Sequence, residues 1–286
     1  MNYRHGFHAG NHADVLKHLV LVALLDALKR KDAPFFVLDT HAGRGQYDLA
    51  ASQAQRTGEA DAGIRRLWAT RPSEPPALAA YLAAVAACWT PEADTYPGSP
   101  QLVARALREQ DRLAACELQP EEATALKSLL AGDPRCHVHQ RDGYAAIKAL
   151  LPPREGTTRF ARALVLVDPP YEAQAEEYPL ITAALRDGLE RFPQGIFALW
   201  YPIKQRATLQ PLMRKLANLP MKSALAIELL VRPDDSPLRM NGSGMVVINP
   251  PWQFERTVEP ALRPLAQAMG ETGASWRLTW LKQEKP

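Results

Sequence analysis

Four short strand-like runs in this chain each end in an acid: PFFVLD at Asp39, LAACE at Glu117, RCHVHQRD at Asp142 and ALVLVD at Asp168. The first, second and fourth are apolar enough to read as buried strands. Helical stretches such as Glu121 to Leu130 and Tyr144 to Leu151 separate them, and repeated strand–helix alternation makes a parallel sheet. In such a sheet the carboxyl ends of the strands gather along one rim, where ligands bind. The acids are therefore candidates for one shared site.

The last of these runs, ALVLVDPPY from Ala163 to Tyr171, says most about chemistry. Pro169 and Pro170 stop the strand because proline has no N–H to give to the ladder. Their fixed backbone angles aim the Asp168 carboxylate and the Pro169 carbonyl the same way. With Tyr171 beside them they form a rigid acceptor pair next to an aromatic ring. That set complements the N–H donors and flat face of an exocyclic amine on a nucleobase.

The N-terminal segment holds His5, His8, His12 and His18, followed by a helical pattern of Val15, Leu19, Val22, Leu25 and Leu28 expected to pack one face on the sheet. After the first strand, Gly43 and Gly45 turn the chain. Residues 52–98 are then Ala-rich and helical, with Ile64, Leu67 and Trp68 on one face and Leu78, Tyr81, Leu82, Val85 and Trp89 on another. This reads as an inserted helical subdomain, leaving 1–51 and 99–286 as the main domain. Ser99 and Pro100 look like the N-cap and first position of the next helix. GIFALWYP is a further strand. SALAIELLVR and GMVVINPPW read as a final antiparallel pair, because the link between them is too short for a crossover helix. A helix near Glu255 to Met269 and a short strand at Trp276 to Leu281 close the chain.

At 286 residues with 47% hydrophobic content, the chain can fill a core for one large α/β domain with an insertion. Cys88, Cys116 and Cys136 are odd in number and lack CxxC spacing, so neither a zinc knuckle nor a disulfide framework is indicated, and a reducing cytoplasm is expected. An N-terminus without an apolar core and the absence of a long apolar run argue against secretion and membrane spanning. The net charge of +3 permits a polyanionic partner without requiring one.

Nicotinamide binding is the first rival reading of a glycine-rich turn after a strand. The dinucleotide fingerprint would need glycine where Asp48 stands, and an acid there repels pyrophosphate. A ligand with ribose hydroxyls and no phosphates fits better: Glu117 accepts from both hydroxyls and Asp142 from an adenine amine. S-adenosylmethionine has that shape and carries its positive charge at sulfur.

The DxHxGxG turn Asp39–Gly45, the strand ends ELQP and RDG, and DPPY, in that order, resemble the class I S-adenosylmethionine-dependent methyltransferases that modify amino groups. The strings YRHGFHAGNHADVLKH, LDTHAGRGQY, YPGSP, LREQD, ALWYPI and SGMVVINPPW resemble more narrowly the bacterial 23S ribosomal RNA adenine-N6 methyltransferases of the RlmJ type, over nearly the whole chain. The resemblance implies a Rossmann-like fold with a mostly parallel seven-stranded sheet and an antiparallel C-terminal pair. It implies cofactor contacts from Lys17, His18, His41, Ser99, Glu117, Asp142, Gly143 and Asp168, with Asp168 catalytic and Tyr3 near the target adenine; the strand-end reading adds Pro169 and Tyr171 to the catalytic set, and Arg4 joins Tyr3 as a candidate for holding the RNA. The expected partner is 23S ribosomal RNA, with no membrane and no metal, and the expected state is a cytoplasmic monomer. Arg44 departs from the pattern, standing between the two motif glycines where relatives commonly have a small residue.

His8 and His12, four apart, with Asp14 and His18, suggest a metal site only if the helix begins that early. Gly6 and Gly10 oppose this, so these histidines read as solvated or RNA-facing. NPPW at Asn249 to Trp252 matches the DPPY pattern but follows the antiparallel pair, so its role reads as structural, with Asn249 at most bordering the substrate pocket. His137 and His139 read as packing or surface residues and Cys116 as core. The competing functions are a DNA adenine-N6 methyltransferase and a non-catalytic RNA-binding protein of the same fold.

Overall fold

The computed structural model describes residues 8–50, 58–70, 75–89, 94–171, 174–237 and 240–283. Its strands, in chain order, are β1 (Phe36–Asp39), β2 (Gln46–Asp48), β3 (Thr95–Pro97), β4 (Arg112–Cys116), β5 (Cys136–His139) and β6 (Arg154–Glu155). β7 (Thr158–Arg159), β8 (Ala163–Val167), β9 (Ile196–Ile203), β10 (Ala224–Leu230), β11 (Gly242–Ile248) and β12 (Ser275–Lys282) follow.

One sheet carries the architecture, in the order β12-β10-β11-β9-β8-β1-β4-β5. From β9 to β5 every pairing is parallel, and β11, β10 and β12 add antiparallel neighbours. The sheet has eight strands rather than the expected seven. The eighth is β12, which pairs with β10 along its whole length. As an edge strand with one wet face it alternates, Trp276, Leu278 and Trp280 half-buried and Arg277 and Thr279 exposed. The chain builds β4 and β5 on one side of β1 and β8 and β9 on the other, so the strand order reverses between β1 and β8. That reversal opens a crevice at the carboxyl ends.

The two faces of the sheet bury separate apolar clusters. One unites α1 (His12–Lys29), the helices of the insertion and the helix Phe254–Met269. The other is covered by the helices Gly143–Leu150, Gln174–Arg191 and Gln210–Ala217. α1 differs from its expected one-sided packing: all of it except Asp26, Ala27 and Lys29 is buried. The sheet lies on one side of it and the inserted and C-terminal helices on the other, so an apolar stripe alone understated its burial.

The insertion leaves and returns at one point, because β2 and β3 pair antiparallel from Gln46↔Pro97 to Asp48↔Thr95. Its Ile64, Leu67, Leu78, Tyr81, Leu82 and Val85 join the same cluster as α1. Trp68 packs on Trp89 with ring centroids 5.1 Å apart. These expected apolar faces thus share a core with the rest of the chain.

Candidate active site

The carboxyl ends of β1, β4, β5 and β8 open onto a cleft of about 510 Å³, within the size range of small-ligand sites. Lys17, His18, His41, Ser99, Glu117, Asp142, Gly143 and Asp168 all line it, together with Pro169. Residues far apart in sequence are thus gathered on one rim. Tyr171 does not line this cleft. Its hydroxyl donates to the Trp200 carbonyl at 2.8 Å, and its ring meets Trp200 and Tyr178 edge-on. Tyr3 and Arg4 lie outside the described residues.

Two glycines shape the turn after β1. Gly43 and Gly45 have φ of 61° and 80°, in the left-handed region that glycine enters without strain. Across the cleft, a Cβ at Gly143 would stand 2.1 Å from the Thr40 carbonyl oxygen, so the helix Gly143–Leu150 reaches the β1 loop only because this residue has no side chain. Arg44, between the turn glycines, lies on the outside and makes a two-pronged contact with Glu122 at 2.9 and 2.6 Å.

Each acid is held differently. Both Glu117 oxygens take backbone N–H donors, from Gly43 at 2.9 Å and Gln119 at 2.7 Å. Burial nevertheless raises its pKa. Each oxygen keeps a second lone pair for a ligand. Asp142 caps the helix Gly143–Leu150 through Oδ1, which accepts from Ala145 N at 2.7 Å. Asp168 receives the Lys17 ammonium on Oδ2 at 2.6 Å. Burial pushes Lys17 down, but Asp14 and Asp168 together hold it well above the ordinary lysine value.

Asp39 is fully buried at the end of β1. Burial foremost, and Asp168 nearby, push its pKa up to about 7, while a hydrogen bond from Ser99 opposes the rise. That bond, Ser99 Oγ to Asp39 Oδ2 at 2.6 Å, corrects the expected capping role. Gly98 is the N-cap and Ser99 is the first residue of the helix Ser99–Ala106, which turns its hydroxyl toward β1 rather than to its own helix.

The histidines are also placed by partners rather than by solvent. His18 is 1% exposed. It stacks on Tyr96 and contacts its hydroxyl at 2.9 Å, and Tyr96 in turn meets the Tyr81 hydroxyl at 2.9 Å. Thr40 donates its hydroxyl hydrogen to Leu166 O at 2.9 Å, so its contact with His41 Nδ1 at 2.8 Å takes the ring's hydrogen. Burial holds His41 neutral, with a pKa of about 4, and its Nε2 lone pair is left for the cleft. α1 begins only at His12, after Gly10 at φ 75°. His12 is buried, which keeps it neutral with a pKa of about 4. His8 pairs with Glu59 at 2.9 Å. The expectation of solvated or RNA-facing histidines thus fails for His12 and His18. Among the described residues, no group of three or more His, Cys, Asp or Glu is arranged to hold a metal, and no helix is long and apolar enough to cross a membrane.

Three features escaped the sequence reading. Asp14 touches Lys17 at 2.7 Å, a contact signalled by the acid three positions before a lysine on a helix. Thr40 sets the His41 tautomer, and Tyr144 donates to Glu177 across the cleft wall. Neither of these had a signal beyond proximity to the strand ends.

A rim of acids with glycine-backed walls is shared by many folds, so the match to known proteins decides the family. The model for ribosomal RNA large subunit methyltransferase D, RlmJ, matches residues 32–282. The chain belongs to the RlmJ family. Ribosomal RNA large subunit methyltransferase J of Haemophilus influenzae is 40% identical over 287 residues, covering 99% of this chain and all of that protein. The Escherichia coli K12 protein of the same name is 40% identical over 286 residues, with the same coverage. Among solved structures, protein LPL1258 from Legionella pneumophila superposes with a TM-score of 0.85 at 34% identity, covering 95% of this chain and 98% of its own. In this RlmJ-family chain NPPW is separate from the cleft: Asn249 donates to the Pro193 and Gly195 carbonyls, each at 2.9 Å, which fits the structural role expected of it.

Proposed function

We propose that this chain transfers a methyl group from S-adenosylmethionine to the N6 amine of an adenine in 23S ribosomal RNA. The observation that carries the reading is Asp168, fixed by Lys17 at the end of β8 beside Pro169 and opening on a cleft of cofactor size. Membership of the RlmJ family supports the choice of ribosomal RNA.

The residues present suit the cofactor. Glu117, Asp142 and Asp168 offer acceptors to hydroxyls, an amine and a cationic centre, and they disfavour a pyrophosphate. Gly43 and Gly143 let backbone come close, and His41 Nε2 adds a neutral acceptor. Lys17 holds Asp168, while Ser99 on Asp39 and His18 on Tyr96 complete the lining. When bound, S-adenosylmethionine supplies an electrophilic methyl on a sulfonium.

Adenine N6 is a weak nucleophile because its lone pair is delocalised into the ring. Asp168 and the Pro169 carbonyl accept its two N–H bonds, localise the lone pair and aim it along the line of attack, where alignment supplies much of the rate. Transfer of the methyl from the sulfonium to N6 would leave N6 cationic; the Asp168 carboxylate is placed to stabilise that charge, and the proton N6 gives up would pass to solvent. Tyr171, packed edge-on against Trp200 and Tyr178 outside the cleft, braces this strand end rather than stacking on the base.

A paired base does not reach such a pocket, so the adenine is flipped or already single-stranded. Tyr3, Arg4 and the inserted helices of 52–98 hold the RNA, and the chain works as a cytoplasmic monomer. Incubating the purified protein with radiolabelled S-adenosylmethionine and either deproteinised 23S RNA or duplex DNA tests the reading. Label should enter the RNA; label entering only DNA assigns the chain to DNA adenine methylation instead, and binding of RNA without transfer leaves a non-catalytic role.

A further inference from the structure

Asp14 does not line the cleft and is 2% exposed, yet it lies one residue away from the catalytic carboxylate. Its Oδ1 accepts from the Lys17 ammonium at 2.7 Å, and that ammonium donates to Asp168 Oδ2 at 2.6 Å. Its Oδ2 accepts from the Gly10 N–H at 2.9 Å. The Gly10 carbonyl in turn accepts from the Ile64 N–H of the insertion at 2.8 Å. An unbroken series of hydrogen bonds therefore runs from the inserted helices to Asp168.

Lysine is a point charge on a flexible stem and does not fix its own position. A single ion pair with Asp168 would leave Nζ free to swing and would neutralise the carboxylate. Asp14 removes both problems. It anchors Nζ from a second side, one helical turn away on α1, and it divides the lysine's charge between two carboxylates. Asp168 then stays anionic enough to accept from an amine, with Oδ1 left for that contact.

We propose that Asp14 is a positioning residue for methyl transfer: acting through Lys17, it fixes the place and the acceptor strength of the Asp168 carboxylate, and through Gly10 it ties that placement to the seating of the inserted helices. The proposal rests on the amine-methylation reading above.

The test compares the parent with Asp14→Asn, which keeps the shape and loses the charge, and with Asp14→Glu, which keeps the charge. Turnover on deproteinised 23S RNA is measured beside cofactor-binding stoichiometry and affinity, and the exchange of the Lys17 amine protons is followed by NMR. For Asp14→Asn, kcat should fall about 10- to 100-fold, the range a small misplacement of reacting groups produces, with cofactor stoichiometry and affinity retained and the Lys17 amine losing its protection. Asp14→Glu should recover part of that turnover. Parental kcat in Asp14→Asn overturns the proposal, as does retained protection of Lys17. A loss of turnover that merely tracks lost cofactor stoichiometry in both variants also overturns it, since that is a folding defect. If the parent itself transfers no methyl to RNA, the functional reading fails instead, and the NMR comparison still decides the role of Asp14.

Discussion

The chain carries the same short pattern twice, DPPY after β8 and NPPW after β11, and the two ends have opposite fates. β8 runs parallel to β1, so Asp168 arrives at the rim where the strand order reverses. β11 runs antiparallel to β9, so Asn249 arrives at the opposite rim. There its amide is consumed by backbone: it donates to two carbonyls and accepts from Lys222 N. Trp252 beyond it is 85% exposed. The backbone twist also moves: the left-handed residue is the last of the first string, Tyr171 at φ 49°, and the first of the second, Asn249 at φ 52°. Strand direction, not the local string, decides which copy meets charge and an open cleft.

The largest expected contrast follows directly. Asp168→Ala should lower methyl transfer by about 10²- to 10³-fold, the usual loss on removing a preorganised group that meets developing charge. Asn249→Ala should spare turnover and lower stability by about 1–3 kcal/mol, for unsatisfied backbone groups and a left-handed position that alanine tolerates poorly. Steady-state kinetics and urea unfolding of both variants check the pair; equal losses of turnover would erase the distinction between the rims.

The cleft rim should also respond to pH where the other rim does not. Asp39, raised to about 7 mainly by burial, binds a proton in the fold that the unfolded chain has already released. It therefore favours the fold fully only below the ordinary carboxylate range, and that contribution is lost as pH rises toward 7. Asp39→Asn removes the dependence, so its stability relative to the parent should improve by about 2–4 kcal/mol between acid and neutral pH. The gap for Asn249→Ala should stay constant over the same window. His12 and His41 titrate in the opposite sense, but they are common to both proteins and cancel in the difference. Urea unfolding at both ends of the range reads it directly.

The smallest effect belongs to Arg44. Its contact with Glu122 is 46% and 23% exposed on the two sides, and pairs of that kind contribute about 0–1 kcal/mol. Arg44→Ala should leave turnover intact and change cofactor affinity slightly, as calorimetry would show; a large loss would mean that the turn after β1 depends on this pair.

The elements most legible in the sequence were those whose cause is local. Val165 to Val167 are apolar on both faces of a strand and fully buried, and the acids after such runs had to gather on one rim once the sheet was parallel. Cys116 and the apolar faces of 52–98 were readable for the same reason. What stayed hidden depends on partners distant in sequence. Ser99 next to proline looks like a cap, and only the fold brings it to Asp39. His12 and His18 look like surface groups until the insertion covers α1. β12 has one wet face and a weak apolar signal, so the sheet's eighth strand was expected only as a short closing piece. The β6–β7 ribbon, two residues a side, has no periodicity to read. Of the cleft residues, those at strand ends were visible; Asp14, which reaches the cleft only through Lys17, was not.

In the proposed mechanism Asp168 presents an adenine N6 amine of 23S ribosomal RNA to a methyl donor. The measurement that meets it most directly is nucleoside mass spectrometry of deproteinised 23S RNA after treatment with the purified protein and S-adenosylmethionine, run beside Asp168→Ala. N6-methyladenosine is expected with the parent protein and almost none with the variant. A different methylated nucleoside, or the same yield from Asp168→Ala, would contradict it.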